Sequence, residues 1–425
     1  MLSLIYINYK KISWALLLIL GLSVISSSVI RNYVGLFSIL ALALILSAGY
    51  IARNGFSKND YYLFLFFIVG WMYAVFSALS GGWSIEYFHD TSFLIRQAYF
   101  LIFMPVFILA GLALQYFIGK RVYELAISKG MSFVVLLLTL DVTLSVFFGD
   151  RSFKENNGYS HYFEKSVIWF LVGYVSLVLM QNRNKSIILV LTFFIFVERI
   201  AGYGVMFNAA TGMILYLILL MFCLMFTFNK IHLVKVCTVF CVLSLSAFVF
   251  ITPLFSEYFI DDINTYWRLE SWADNLKAVI HNYGFGVGFG VSYFPDRIDA
   301  FENAYRAFSK EGSGMGMYDK LFIRGQHSSV INVAFRLGII GVVAFLMSVI
   351  HLIYSFHVKN NPERIFLIPL LLCGFVNVSV HVGLESPPFM IMYSVVLGML
   401  MHERNVSINM NDSVSDNSYL SLKGN

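Results

Sequence analysis

Apolar runs of about the length needed to cross a bilayer recur along almost the whole chain, and nothing else in the sequence limits the fold as tightly. A hydrocarbon core about 30 Å thick takes roughly 20 apolar residues of helix. Twelve runs meet or approach that length, at 12–30, 33–52, 61–80, 93–118, 127–148, 166–180, 186–198, 203–228, 232–254, 328–354, 363–382 and 386–401. The seventh is short and the eighth carries glycines. With 59% hydrophobic and 12% charged residues over 425 positions, the chain has too few charges to cover a soluble globule. The expected fold class is all-α, a polytopic membrane protein of about twelve transmembrane helices. Four segments follow: 1–254 with spans one to nine, a large outer loop at 255–327, spans ten to twelve at 328–401, and a disordered Asn- and Ser-rich cytoplasmic tail at 402–425. The first run continues through SSSVIRNY into the second without a cleavage pattern, so it reads as a span rather than a removable signal peptide.

Lys and Arg in short loops favour the cytoplasm. Placing both termini there puts Lys10, Lys11, Arg53, Lys58, Lys120, Arg121, Lys129, Arg183, Lys185, Lys230, Lys235, Lys359, Arg364 and Arg404 on that side. The connections at 81–92 and 383–385, free of Lys and Arg, then face outward. The formal charge of +5 is mostly this loop bias and does not argue for a nucleic-acid partner. Cys223, Cys237, Cys241 and Cys373 all fall inside spans without a C-x-x-C pair, a pattern of packing residues rather than of a disulfide or zinc site.

Ionisable groups inside hydrocarbon are costly and usually face a cavity or a partner. Here they are Arg96, Asp141, Glu198, Arg199 and Arg336, with His381 and Glu385 at a span end, and every one falls in the outer half of its helix. A transporter with alternating access would place polar groups at the midplane and below it as well. The one-sided pattern predicts a cavity open to the outer leaflet, with Arg96, Asp141, Arg324, Arg336 and Glu385 as candidate lining residues. Snorkelling of Arg96 and Arg199 to the surface is the alternative, and Asp141 also suits a structural partner of an arginine.

The outer loop opens with TYWRLESWADNLKAVIHNYG. Helical spacing puts Leu269, Trp272, Ala273, Leu276, Val279 and Ile280 on one face, which predicts an amphipathic helix lying flat on the membrane. Arg268 falls at the edge of that face, where its donor fork suits a lipid headgroup or a phosphate. GFGVGFG (284–290) and GSGMG (312–316) read as turns with lid-like mobility, and the first lacks the spacing and βαβ context of a dinucleotide site. His327, directly before span ten, is the candidate proton acceptor, although a lone interfacial histidine is more often inert. Glu86, His89 and Asp90 form the best metal-like cluster, with a solvated loop as its plainer reading. Ser328, Ser329 and Asn332 are expected to face acceptor or loop, and Gly338 and Gly341 to admit a close helix neighbour.

Arg268-x3-Trp272, then Gly284 to Gly290, then HSSVINVAFRLGIIG from His327 to Gly341 resemble the outer loop and histidine-led span of the O-antigen polymerase and ligase superfamily. Arg199 matches an arginine that the family tends to carry between spans seven and eight, whereas Glu198 and Ser328 depart from its usual neighbours. The resemblance implies a GT-C-like fold in the bacterial inner membrane with a periplasmic active site. It implies an inverting, metal-independent glycosyltransferase that needs no cofactor. The donor and acceptor would be undecaprenyl-pyrophosphate-linked oligosaccharides, with membrane lipids, a chain-length regulator and a flippase as further partners. Arg268 and Arg199 would hold the pyrophosphate and His327 would act on the acceptor hydroxyl. A polymerase is the first reading, a ligase to lipid A core the second. A polysaccharide flippase, which needs no such loop, is the third.

Overall fold

The computed structural model describes residues 2–25, 33–55, 61–80, 87–118, 231–259, 263–295, 322, 328–355, 367–380, 384, 389–391, 393–398 and 401. The spans expected at 127–148, 166–180, 186–198 and 203–228 lie outside them. Helix α1 covers Leu2–Ile25, α2 Tyr33–Asn54, α3 Tyr61–Ser80, α4 Leu94–Ile118, α5 Ile231–Ile251, α6 Ile263–His281, α7 Ser329–Ser355 and α8 Leu367–Val380. Seven of these meet an expected span, and most of their ends fall within a few residues of it, because an apolar run stops where water begins. Helix α1 is the exception, starting ten residues before the expected run at 12. Among the described residues, four stretches are long and apolar enough to cross a membrane: Val34–Asn54, Thr91–Ile118, Lys235–Tyr258 and Ser329–Tyr354.

Helix α2 packs on α1 and α4, α3 on α4 and α7, and α5 on α7 and α8. The shared core includes Phe66, Phe107, Phe117, Phe345 and Phe375, all nearly or fully buried. Pro105 lies inside α4. It has no N–H to give the Leu101 carbonyl four residues back, and the Trp71 indole Nε1 of α3 donates to that carbonyl at 2.9 Å instead. A polar group freed by the proline is thereby satisfied by a neighbouring helix, as hydrocarbon surroundings require.

The segments between the helices carry structure that the apolar pattern does not announce. Strand β1 (Tyr87–His89), between α3 and α4, pairs antiparallel with β2 (Val291–Pro295), which follows α6. Together with Phe322 and Phe335 they build a second, smaller core of Tyr87, Val287, Val291, Tyr293 and Phe294. Phe93 stacks on Phe322 with ring centroids 4.6 Å apart. Of the metal-like cluster, Glu86 lies outside the described residues. His89 closes β1, and the Asp90 carboxylate caps the turn at Thr91–Phe93 by accepting from the Ser92 N–H at 2.9 Å.

Candidate active site

Span ten, α7, is not one continuous helix. Gly338 sits inside it at φ 66 and ψ −163, far from helical geometry, and divides it into an outer piece at 329–337 and an inner piece beyond. Such a break frees backbone groups at membrane depth, which is tolerated only where protein covers them. The glycine segment 284–290 does so. Val287 N–H donates to the Phe335 carbonyl at 2.7 Å, Gly288 N–H to the Arg336 carbonyl at 3.1 Å, and Ile339 N–H to the Gly284 carbonyl at 2.9 Å. The two backbones touch so closely that a Cβ on Gly286 would collide with the Arg336 carbonyl, and one on Gly338 with the Gly284 carbonyl and Gly286 nitrogen. GFGVGFG is therefore a buckle fastened to the broken helix rather than a mobile turn, and Gly338 admits this strap rather than a neighbouring helix.

Three earlier elements complete the fastening. Ser77 of α3 accepts from the Phe289 N–H at 2.9 Å. Gln97 of α4 accepts from the Gly290 N–H at 2.8 Å and donates through Nε2 to the carbonyls of Val291 and Phe322, each at 2.9 Å. Asp90 N–H donates to the Gly290 carbonyl at 2.7 Å. Gln97 carries no charge, and its signal in the sequence was a glutamine at the start of a long apolar run. Arg96, its neighbour, is exposed.

Arg336, in the outer piece of α7, is 2% exposed. Its guanidinium donates to the carbonyls of Gly288 at 3.1 Å and Val291 at 2.7 Å, and lies 4.3 Å from the Tyr293 ring centroid and 4.9 Å from that of Phe335. Carbonyl oxygens and aromatic faces both favour a cation, so this charge is enclosed within packed protein where it clamps the buckle. Ser328 caps α7, its hydroxyl accepting from the Ile331 N–H at 3.3 Å. Ser329 accepts from the Leu384 N–H at 3.0 Å. Both serines thus hold protein to protein, and Asn332 is buried beside them.

Helix α6 packs against α7, β2 and the turn at Thr252–Phe259. Its buried residues are Leu269, Ser271, Trp272, Asn275, Ala278 and Val279, while Ile280 is 73% exposed. At 100° per residue the buried face is rotated about a quarter turn from the apolar stripe expected to lie on lipid, and it centres on the direction of Arg268. Contact with α7 and β2 outweighs the apolar preference, and the helix does not simply rest on a membrane. Arg268 is half-buried. One and two turns further along the same face come Ser271 and Asn275. Asn275 is fully buried, and neither Nδ2 nor Oδ1 has a hydrogen-bond partner among the described residues. On the wetter side, the Tyr266 hydroxyl donates to Glu270 at 2.6 Å, a bond that raises the phenol pKa with help from desolvation.

Of the residues singled out in sequence, Arg96, Arg268 and Arg336 are described, whereas Asp141, Arg199, Arg324, His327 and Glu385 lie outside the described residues. Arg268 and Arg336 stand on two helices in contact with each other, α6 and α7. No curated protein matches the chain. Residues 164–346 match the family model described as O-antigen ligase, a stretch that takes in Arg199, Arg268, the glycine buckle, His327 and Arg336. Over 164–346 the chain is thus similar to the O-antigen ligase family, and four of its described helices are long and apolar enough to cross a membrane.

Proposed function

We propose that the protein is the polymerase of a bacterial surface polysaccharide, either O-antigen or capsule, in the inner membrane with its reactive side to the periplasm. The family match over 164–346 supports the glycosyl transfer that polymerase and ligase share, because that stretch contains Arg199, Arg268 and His327 together. The buried setting of α6 supports it. An arginine at the centre of a protein-facing helix stripe suits an enclosed anion better than a bulk headgroup.

In this reading the donor is a growing glycan on undecaprenyl pyrophosphate and the acceptor a hydroxyl of a second lipid-linked repeat unit. The acceptor oxygen bonds to the anomeric carbon from the face opposite the pyrophosphate, and His327 takes its proton. The bond from that carbon to the phosphate oxygen breaks, and the pyrophosphate leaves with the electron pair. Charge growing on it is met by Arg268 and Arg199. Inversion at the anomeric carbon follows from the single displacement, and no metal or cofactor takes part.

A ligase that transfers finished glycan to lipid A core is the second reading, favoured by the description of the matching family. Deleting the gene separates the two. A polymerase deletion leaves surface glycan with a single repeat unit on its final anchor. An anchor with no repeat, and long chains accumulating on undecaprenyl pyrophosphate, would instead establish the ligase. In either case His327→Ala should abolish transfer at unchanged protein level, and a full ladder of glycan bands from that strain would remove His327 from the chemistry.

A further inference from the structure

A buried primary amide without a partner is rare in folded proteins, and each instance calls for a physical reason. Asn275 has two such atoms, a donor and an acceptor, on a residue with no exposed surface. Leaving them unsatisfied is destabilising, whereas an apolar side chain of similar shape would carry no such penalty there. The position is also specific. Asn275 lies seven residues from Arg268, so it sits about 10 Å further along the helix and within about 20° of the same direction. Ser271, buried at 6% exposure, lies between them on that stripe. Hydroxyls and acetamido groups of sugars each present a donor and an acceptor, which is the pairing that a carboxamide offers.

We propose that Asn275 is a saccharide-recognition residue: its amide hydrogen-bonds a hydroxyl or acetamido group on the first sugars of the lipid-linked substrate while Arg268 holds the pyrophosphate. The inference rests on the reading of Arg268 as a pyrophosphate ligand. The distance between the two residues matches a pyrophosphate followed by a pyranose along the helix. A site built to hydrogen-bond such a group rejects analogues that lack it, because its own polar atoms would then stay unpaired.

The test uses the full-length protein in lipid nanodiscs and two probes: undecaprenyl pyrophosphate without sugar, and the lipid-linked repeat unit extracted from a strain deleted for this gene. Asn275→Leu removes the polar atoms while keeping the volume, and it should preserve or raise the melting temperature. It should weaken binding of the saccharide-bearing lipid about tenfold or more and leave binding of the bare pyrophosphate lipid unchanged. Arg268→Ala should weaken both. Equal binding of the saccharide lipid by wild type and Asn275→Leu overturns the proposal and shows a structural amide or a buried water. Equal weakening of both lipids overturns it too, assigning Asn275 to support of Arg268. If wild type binds neither lipid, the pyrophosphate reading of Arg268 fails with it. If Asn275→Leu lowers the melting temperature, Asn275→Ala and Asn275→Asp in the same binding pair decide: selective loss for the saccharide lipid in both upholds the proposal, and parallel loss for both lipids overturns it.

Discussion

Two arginines on contacting helices show opposite ways of using a charge near lipid. Arg336 is surrounded by two carbonyls and two aromatic rings, at 2% exposure. Arg268 is half-buried on a stripe whose next polar residues end in an amide with nothing to bind. The first arrangement closes on itself and specifies structure. The second includes an asparagine whose two amide atoms are unmatched among the described residues, which stability alone does not reward. The sequence presents both simply as arginines in the outer half of the molecule, so the difference lies in what each helix packs against.

Substitutions can break that contrast. The largest effect is expected from Gly338→Val, which asks a β-branched residue to adopt φ 66 and to overlap the Gly284 backbone. No monodisperse protein should be recovered in detergent, and normal recovery would show that the buckle is dispensable. Next comes Arg268→Ala, for which transfer should fall roughly 10²–10³-fold with an unchanged melting temperature. Arg268→Lys should restore it only in part, since a single ammonium cannot reproduce the bidentate fork. Arg336→Met should do the reverse, costing about 3 kcal/mol of stability through lost charged hydrogen bonds and showing as a lower melting temperature. If Arg336→Met left stability intact and only stopped transfer, the two arginines would have to be regrouped. The smallest effect belongs to Ser77→Ala. It leaves the Phe289 N–H without its acceptor and should cost about 1–2 kcal/mol, again read from thermal unfolding, with transfer retained in the surviving fold.

How much of this was legible follows from the physics of each feature. Span positions at Tyr33–Asn54, Tyr61–Ser80 and Leu94–Ile118 could be read directly, because transfer of an apolar run to lipid is a local, additive property. The rotation of α6 was not legible: periodicity reports which residues prefer apolar surroundings, while the face actually buried depends on α7 and β2 arriving from elsewhere in the chain. GFGVGFG was visible as a glycine segment, but its mate was not, since a carbonyl freed at Gly338 leaves no mark on residues about fifty positions earlier. Pairing of β1 with β2 joins positions about two hundred apart and carries no sequence pattern of its own. Gln97 stood in plain view, but attention to net charge passed over a neutral side chain that makes three hydrogen bonds.

The buckle also bears on how the chain is made. An arginine at the middle of a nascent helix costs about 2.5–3.5 kcal/mol on the scale that describes insertion by the translocon, and Arg336, two turns inside α7, presents part of that cost as the helix emerges. Synthesis runs from the N-terminus, so Ser77, Gln97, Gly288 and Val291 all exist before Arg336 is added. The carbonyls that receive the guanidinium and the side chains that hold those carbonyls in place are therefore already translated when the arginine reaches the membrane. Sequence order lets the protein act as its own receptor for its least lipid-compatible helix, and a circular permutant that begins at α7 would have to insert that charge without one.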